Sequence, residues 1–226
     1  MESVEKAGSQ VPYKNRQAAG RILAGHLRHV KGRKGLLVLG LPRGGVIVAA
    51  EVAAGLEAAL DVIVVRKLGI PGYAEVAMGA IASGGAEYLN ADIIDSLRIT
   101  REQLERVRRA ELKELKRREL AYRGERPPPA IAGRTLVLAD DGIATGATIH
   151  AAVKALKKQK PAHLIAAVPV APREAVNELS QILEELICPL IPESFAAVGQ
   201  WYEQFPQTTD AEVRKALAGA WHRAQG

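Results

Sequence analysis

At 226 residues, with 48% hydrophobic and 25% charged side chains, the chain can bury a full core and has a folded, not a disordered, composition. The net charge of +6 admits nucleic acid as a partner, but much of the excess lies within residues 98–126, and positive potential equally suits a phosphorylated small molecule. A single cysteine, Cys188, excludes an intrachain disulfide, and no leader or membrane-length apolar run is visible, so a cytosolic protein with neither membrane nor nucleic-acid partners is expected.

Residues 1–15 read as loosely ordered, and Gln17 to Val30 as a helix. "LLVLGL" (36–41) is a continuous apolar run, the pattern of a strand covered on both faces. After "PRGG" comes the Ala-rich helix "VIVAAEVAAGLEAAL", then a second buried strand, "DVIVV" (61–65). Together they predict a right-handed parallel βαβ unit. "RKLGIPGYAEV" follows as a glycine- and proline-bearing loop, and residues 77–90 as a hairpin turning at Ser83-Gly84-Gly85. Thr100 with Gln103 is a capping box for a long polar helix ending near Gly124. Glu102 with Arg106, Glu105 with Arg109 and Glu114 with Arg118 stand at i,i+4 on its solvated face. "TLVLA" predicts a strand before "DDGIATGAT" and a helix; "HLIAAVPV" another strand; residues 171–186 a helix; "ICPLIP" (187–192) a short final strand. The tail from Glu193 holds Phe195, Trp201, Tyr202, Phe205 and Trp221. The pattern implies an α/β protein: an open, mostly parallel sheet flanked by helices, with ligands beyond the carboxyl ends of its strands.

In "DDGIATGAT" the small residues Ala144, Thr145, Gly146, Ala147 and Thr148 precede a helix N-terminus, where backbone N–H groups and hydroxyls can hold a phosphate dianion. It is not a Walker loop, for no Gly-Lys-Ser/Thr follows. Asp140 and Asp141 would repel that phosphate. They suit sugar hydroxyls, or a metal bridging them. A ribose 5-phosphate satisfies both halves. The five histidines show no ligand spacing, so no metal site made by protein alone is expected.

"VLADDGIATGAT" resembles the phosphoribosyl pyrophosphate signature of type I phosphoribosyltransferases. The resemblance implies that Asp140 and Asp141 hold the ribose 2- and 3-hydroxyls and that Ala144–Thr148 cradle the 5-phosphate. "LPRGG" stands where the family has its pyrophosphate loop, with Arg43 supplying charge and Gly44 and Gly45 admitting backbone N–H groups. Arg66 and Lys67 resemble the Arg-Lys pair of the adenine-type enzymes' mobile catalytic loop, with Glu75 as a candidate acid. Arg43, Lys67 and Asp141 are the catalytic candidates, and Trp201 and Tyr202 the acceptor-stacking ones, with packing as their other reading. The family's enzymes carry an acid before the Thr-Gly when they use 6-oxopurines. Ala144 stands there, which disfavours hypoxanthine and guanine.

The resemblance implies a single domain with its core at about 35–190, the charged helix 100–122 as an insertion, and a C-terminal hood at about 191–226. It further implies a Mg²⁺-dependent transferase acting on phosphoribosyl pyrophosphate and a nitrogenous acceptor, Mg²⁺ being held mainly by substrate; a homodimer is compatible with it. Two other readings stay open: a regulator sensing phosphoribosyl pyrophosphate or a nucleotide on the same fold, and hydrolysis or phosphorolysis of a ribosyl phosphate.

Overall fold

The computed structural model describes residues 13–223, apart from the side chains of Ala74, Glu75 and Arg223. The chain enters through α1 (Arg16–His26), capped by Asn15, whose side chain accepts a hydrogen bond from the Ala18 N–H. Then come β1 (Leu37–Gly40), α2 (Gly44–Leu56) and β2 (Ala59–Val62). Three antiparallel strands follow: β3 (Val65–Ile70), β4 (Tyr73–Ala82) and β5 (Ala86–Leu89). Next are α3 (Ala91–Ser96) and the long α4 (Arg101–Arg123). The core resumes with β6 (Thr135–Ala139), α5 (Ala147–Lys158), β7 (His163–Ala167), α6 (Arg173–Ser180) and β8 (Glu185–Ile187). The C-terminal helix is α7 (Asp210–Arg223).

The main sheet has the order β2-β1-β6-β7-β8, with every pair parallel. Its strands are apolar on both faces because both faces are covered. Val38, Val137 and Ile165 pack with side chains of α1, α2, α4 and α7. The alternate residues Leu37, Leu39, Leu136, Leu138 and Leu164 pack with α5 and α6. The β1–β6 register places Gly40 beside Ala139, so the loops leaving these strands, "PRGG" and "DDGIATGAT", start side by side. Among the described residues no helix is long and apolar enough to cross a membrane.

Several boundaries differ from the sequence reading. Residues 1–12 lie outside the described part, and residues 13–15 are fastened: Tyr13 bridges Tyr202, and Asn15 caps α1. The second strand ends at Val62, and Val65 already belongs to the antiparallel sheet. The segment 66–76, read as a loop, is mostly paired strand. Its Pro71-Gly72 pair, with Gly72 at φ +88°, is turn chemistry joining β3 to β4, not a sign of missing structure. The second turn does fall at Ser83–Gly85. The helix expected over 171–186 stops at Ser180, and the last strand is 185–187. Pro189, which lacks an N–H, limits further pairing to an isolated bridge at Leu190.

The long helix starts on its capping box as read, both reciprocal bonds being present. Glu114 pairs with Arg118 at 2.8 Å, whereas Glu105 reaches Arg108, not Arg109. Nor is it only a solvated face. Glu111 holds Arg66 of β3 at 2.6 Å, and Arg108 holds Glu87 of β5 at 2.8 Å. At its C-terminal end Arg123 is buried and donates to Asp61 at 2.7 Å, to Glu119 at 3.0 Å and to the Val62 carbonyl.

Candidate active site

The two loops that leave β1 and β6 interlock. A Cβ on Gly44 would lie 1.9 Å from Asp141 Oδ2, and one on Gly45 would lie 2.6 Å from Asp140 Oδ1. Only glycine at these two positions lets the backbone of "PRGG" rest against the two carboxylates. Arg43 is exposed at the start of α2, and the Pro42–Arg43 peptide is cis. The sequence motifs, separated by almost a hundred positions, thus meet at the carboxyl ends of β1 and β6.

The two acids are held differently. Asp140 accepts a hydrogen bond from the Asp141 N–H at 2.9 Å. Part of the residue remains at the surface, yet packing around its carboxyl pushes the group well above the ordinary carboxylate range, and the Asp141 charge adds to this. Asp141 is ion-paired to Arg16, with Nε 2.7 Å from Oδ2. Its carbonyl accepts the Tyr202 hydroxyl at 2.6 Å. Gly142 follows at φ +151°, where a Cβ would come within 2.5 Å of Val198 Cγ1. The tail therefore sits directly on the loop.

Ala144, Thr145, Ala147 and Thr148 are exposed around Gly146, which caps α5 at φ +73°. The first N–H groups of this twelve-residue helix open to solvent beside hydroxyls, an arrangement suited to a phosphate. Arg66 and Lys67 lie half-buried on β3. Arg66 is engaged by Glu111, so it ties the hairpin to α4 instead of standing in an open loop. Glu75 belongs to β4 by its backbone; its side chain lies outside the described part.

Tyr202 does not offer a face to an acceptor. It is 6% exposed, with its ring centroid 4.8 Å from that of Phe205 and 5.6 Å from that of Tyr13. Burial pushes its phenol pKa up, with Asp141 as a further cause, so it remains a hydrogen-bond donor. Trp201 is half-buried and stacked on Phe195 at 6.5 Å, with an indole N–H that finds no acceptor among the described residues.

The family profile for the phosphoribosyl transferase domain matches residues 13–198. The chain belongs to this family. Its architecture, a five-stranded parallel sheet between helices with an antiparallel excursion, is the type I phosphoribosyltransferase fold. The chain is 43% identical over 201 residues to proteins from two strains of Mycobacterium tuberculosis, provisionally named phosphoribosyl transferases. That match covers 89% of this chain and 45% of each relative, so the chain spans about half the length of these curated relatives. The crystal structure of TT1426 from Thermus thermophilus superposes with a TM-score of 0.83 at 40% identity, covering 92% of this chain and 99% of that one.

Within this phosphoribosyl transferase domain, no three His, Cys, Asp or Glu side chains gather as a metal cage among the described residues. The carboxylates of Asp140 and Asp141 are oxygen donors of the kind that suits Mg²⁺. The sequence reading did not single out Arg16, which is 8% exposed. A signal was present: Arg16, Ala19, Gly20, Leu23 and Ala24 form the buried stripe of α1 at i, i+3, i+4, i+7 and i+8. An arginine on an apolar stripe needs a buried partner.

Proposed function

We propose that the chain transfers the 5-phosphoribosyl group from phosphoribosyl pyrophosphate to a nitrogenous acceptor and releases pyrophosphate. The observation that carries this reading is the contact of Gly44 and Gly45 with the carboxylates of Asp141 and Asp140. It supports one ligand that presents hydroxyls to the acids, a terminal phosphate to residues 144–148 and a second anionic group to "PRGG". Phosphoribosyl pyrophosphate has these three parts.

In this reading Asp140 and Asp141 accept hydrogen bonds from the ribose hydroxyls and Thr145 and Thr148 donate to the 5-phosphate. The bond from the anomeric carbon to pyrophosphate breaks as the acceptor nitrogen bonds to that carbon. Arg43, Lys67 and backbone N–H groups at Gly44 and Gly45 receive the charge that develops on the departing pyrophosphate, where preorganised donors act most strongly. Asp140 and Asp141 would supply the protein oxygens for Mg²⁺, which would neutralise part of the same charge. The hairpin tip beyond Lys67 is the segment that excludes water from the reacting carbon.

The deciding experiment is incubation with phosphoribosyl pyrophosphate, Mg²⁺ and a panel of bases, following pyrophosphate. Release that depends on one base establishes the transferase. Tight binding with no release under any base replaces it with a sensor of phosphoribosyl pyrophosphate.

A further inference from the structure

We propose that Arg16 is a positioning residue, one that fixes the Asp141 carboxylate for recognition of a ribose hydroxyl and thereby sets selectivity for ribose over deoxyribose. The proposal rests on the reading of the two acids given above, and adds to it a residue that precedes both loops.

The guanidinium is held on several sides. Nε donates to Asp141 Oδ2 at 2.7 Å, and Nη1 donates to the Pro206 carbonyl at 2.7 Å. Its central carbon stands 3.7 Å from the centroid of the Phe205 ring. Asn15 caps the helix turn that carries it. Arg16 and Asp141 are only 10% and 18% exposed in their side chains, so this is not a surface ion pair that salt and solvent dissolve. A planar group fixed by two directed bonds and a ring face has almost no freedom to rotate, and it passes that constraint to the carboxylate.

The carboxylate is confined from the other directions too. Gly44 leaves no room beyond Oδ2, and Tyr202 fixes the residue's own carbonyl. An acceptor held in this way discriminates strongly against an analogue that lacks the matching hydroxyl, because its own hydrogen bond is then lost at a site that cannot relax. A mobile carboxylate would turn to water and discriminate little. Arg16 also brings positive charge beside two adjacent acids, close to where an anionic ligand must dock.

The test compares Kd values by calorimetry for ribose 5-phosphate, its 2-deoxy and 3-deoxy forms, and inorganic phosphate, on the full chain. For Arg16→Gln, the preference for ribose 5-phosphate over at least one deoxy form should fall about ten-fold, with the affinity for inorganic phosphate unchanged. Arg16→Lys, which keeps the charge but not the planar fork, should show a smaller fall. A purely structural role would lower all affinities together and leave the preference where it was; that result overturns the proposal. Equal binding of ribose and both deoxy forms by the unaltered protein overturns instead the assignment of the acids to sugar hydroxyls. Should Arg16→Gln lose its near-ultraviolet circular dichroism, the Lys variant decides, and an unchanged preference there overturns the role of Arg16.

Discussion

Replacing Gly44 with alanine isolates the contact on which the site depends. Gly44 has no positive φ, so the backbone accepts alanine and the effect is steric. The added methyl would stand 1.9 Å from Asp141 Oδ2, 2.6 Å from its Cγ and 2.7 Å from Arg16 Nε. Ordinary contact begins near 3.4 Å, so the carboxylate must withdraw by about 1.5 Å. The 2.7 Å bond to Arg16 survives only if the guanidinium follows, and the Pro206 carbonyl and Phe205 ring oppose that movement. Overpacking of this kind costs about 1–3 kcal/mol of stability. Moving a positioned group by about 1 Å can lower function roughly a hundredfold. The expected outcome is a folded protein with a lowered urea midpoint whose calorimetric affinity for ribose 5-phosphate is reduced by one to two orders of magnitude, as follows from the same misplacement. Gly25→Ala serves as control, since nothing lies within 4 Å of its added methyl on α1, and it should gain about 0.5–1 kcal/mol. Wild-type affinity in Gly44→Ala would refute the claim that the two loops form one site.

Gly146→Val places a β-branched residue at φ +73° on the phosphate loop; it should abolish phosphate binding by calorimetry while the sheet, followed by far-ultraviolet circular dichroism, stays intact. Asp61→Ala removes one of the two carboxylates on the buried Arg123, leaving Glu119, and should cost about 1–3 kcal/mol in urea unfolding, whereas replacing Asp61 and Arg123 together by apolar residues should cost much less. Burial pushes the Cys188 thiol pKa up from 9.0 to about 12. At pH 8 it should therefore hold roughly a thousandfold less thiolate than an ordinary cysteine, and a disulfide reagent should label it only after unfolding. Ala144 stands where 6-oxopurine enzymes have an acid, so turnover assays with hypoxanthine and guanine should show no pyrophosphate release.

Four of the five parallel strands were legible because each carries a short apolar run at the expected place, whereas β8 falls partly in residues read as a helix; the helix expected after "DDGIATGAT" begins within it, at Ala147 on the Gly146 cap. The capping box at Thr100 was equally explicit, since both its partners are local. What escaped were features decided by distant residues. Arg66 and Lys67 read as a loop because Gly69, Pro71 and Gly72 are turn formers; their strand pairing is fixed by β4, which carries the complementary edge. One of the contacts that dock α4 on the core is made by Asp61, which sits in a strand that is otherwise apolar. Arg16 reaches Asp141 across 125 positions, a distance that no local periodicity encodes. Of the two readings of Tyr202, packing and acceptor stacking, its contacts with Tyr13 and Phe205 are those of packing.

The family profile ends at residue 198, but the guanidinium of Arg16 lies against Phe205 and Pro206. Asp141 in turn hangs from Tyr202. The stretch that the family profile covers is therefore shorter than the stretch that holds the acid pair. Cutting at residue 198 would preserve every signature residue and still remove the roof from the acid pair, leaving a buried cation facing water on one side. Any attempt to transplant or minimise this domain should take its limits from those three aromatic and carbonyl contacts, at least as far as Pro206, and not from the end of the family profile.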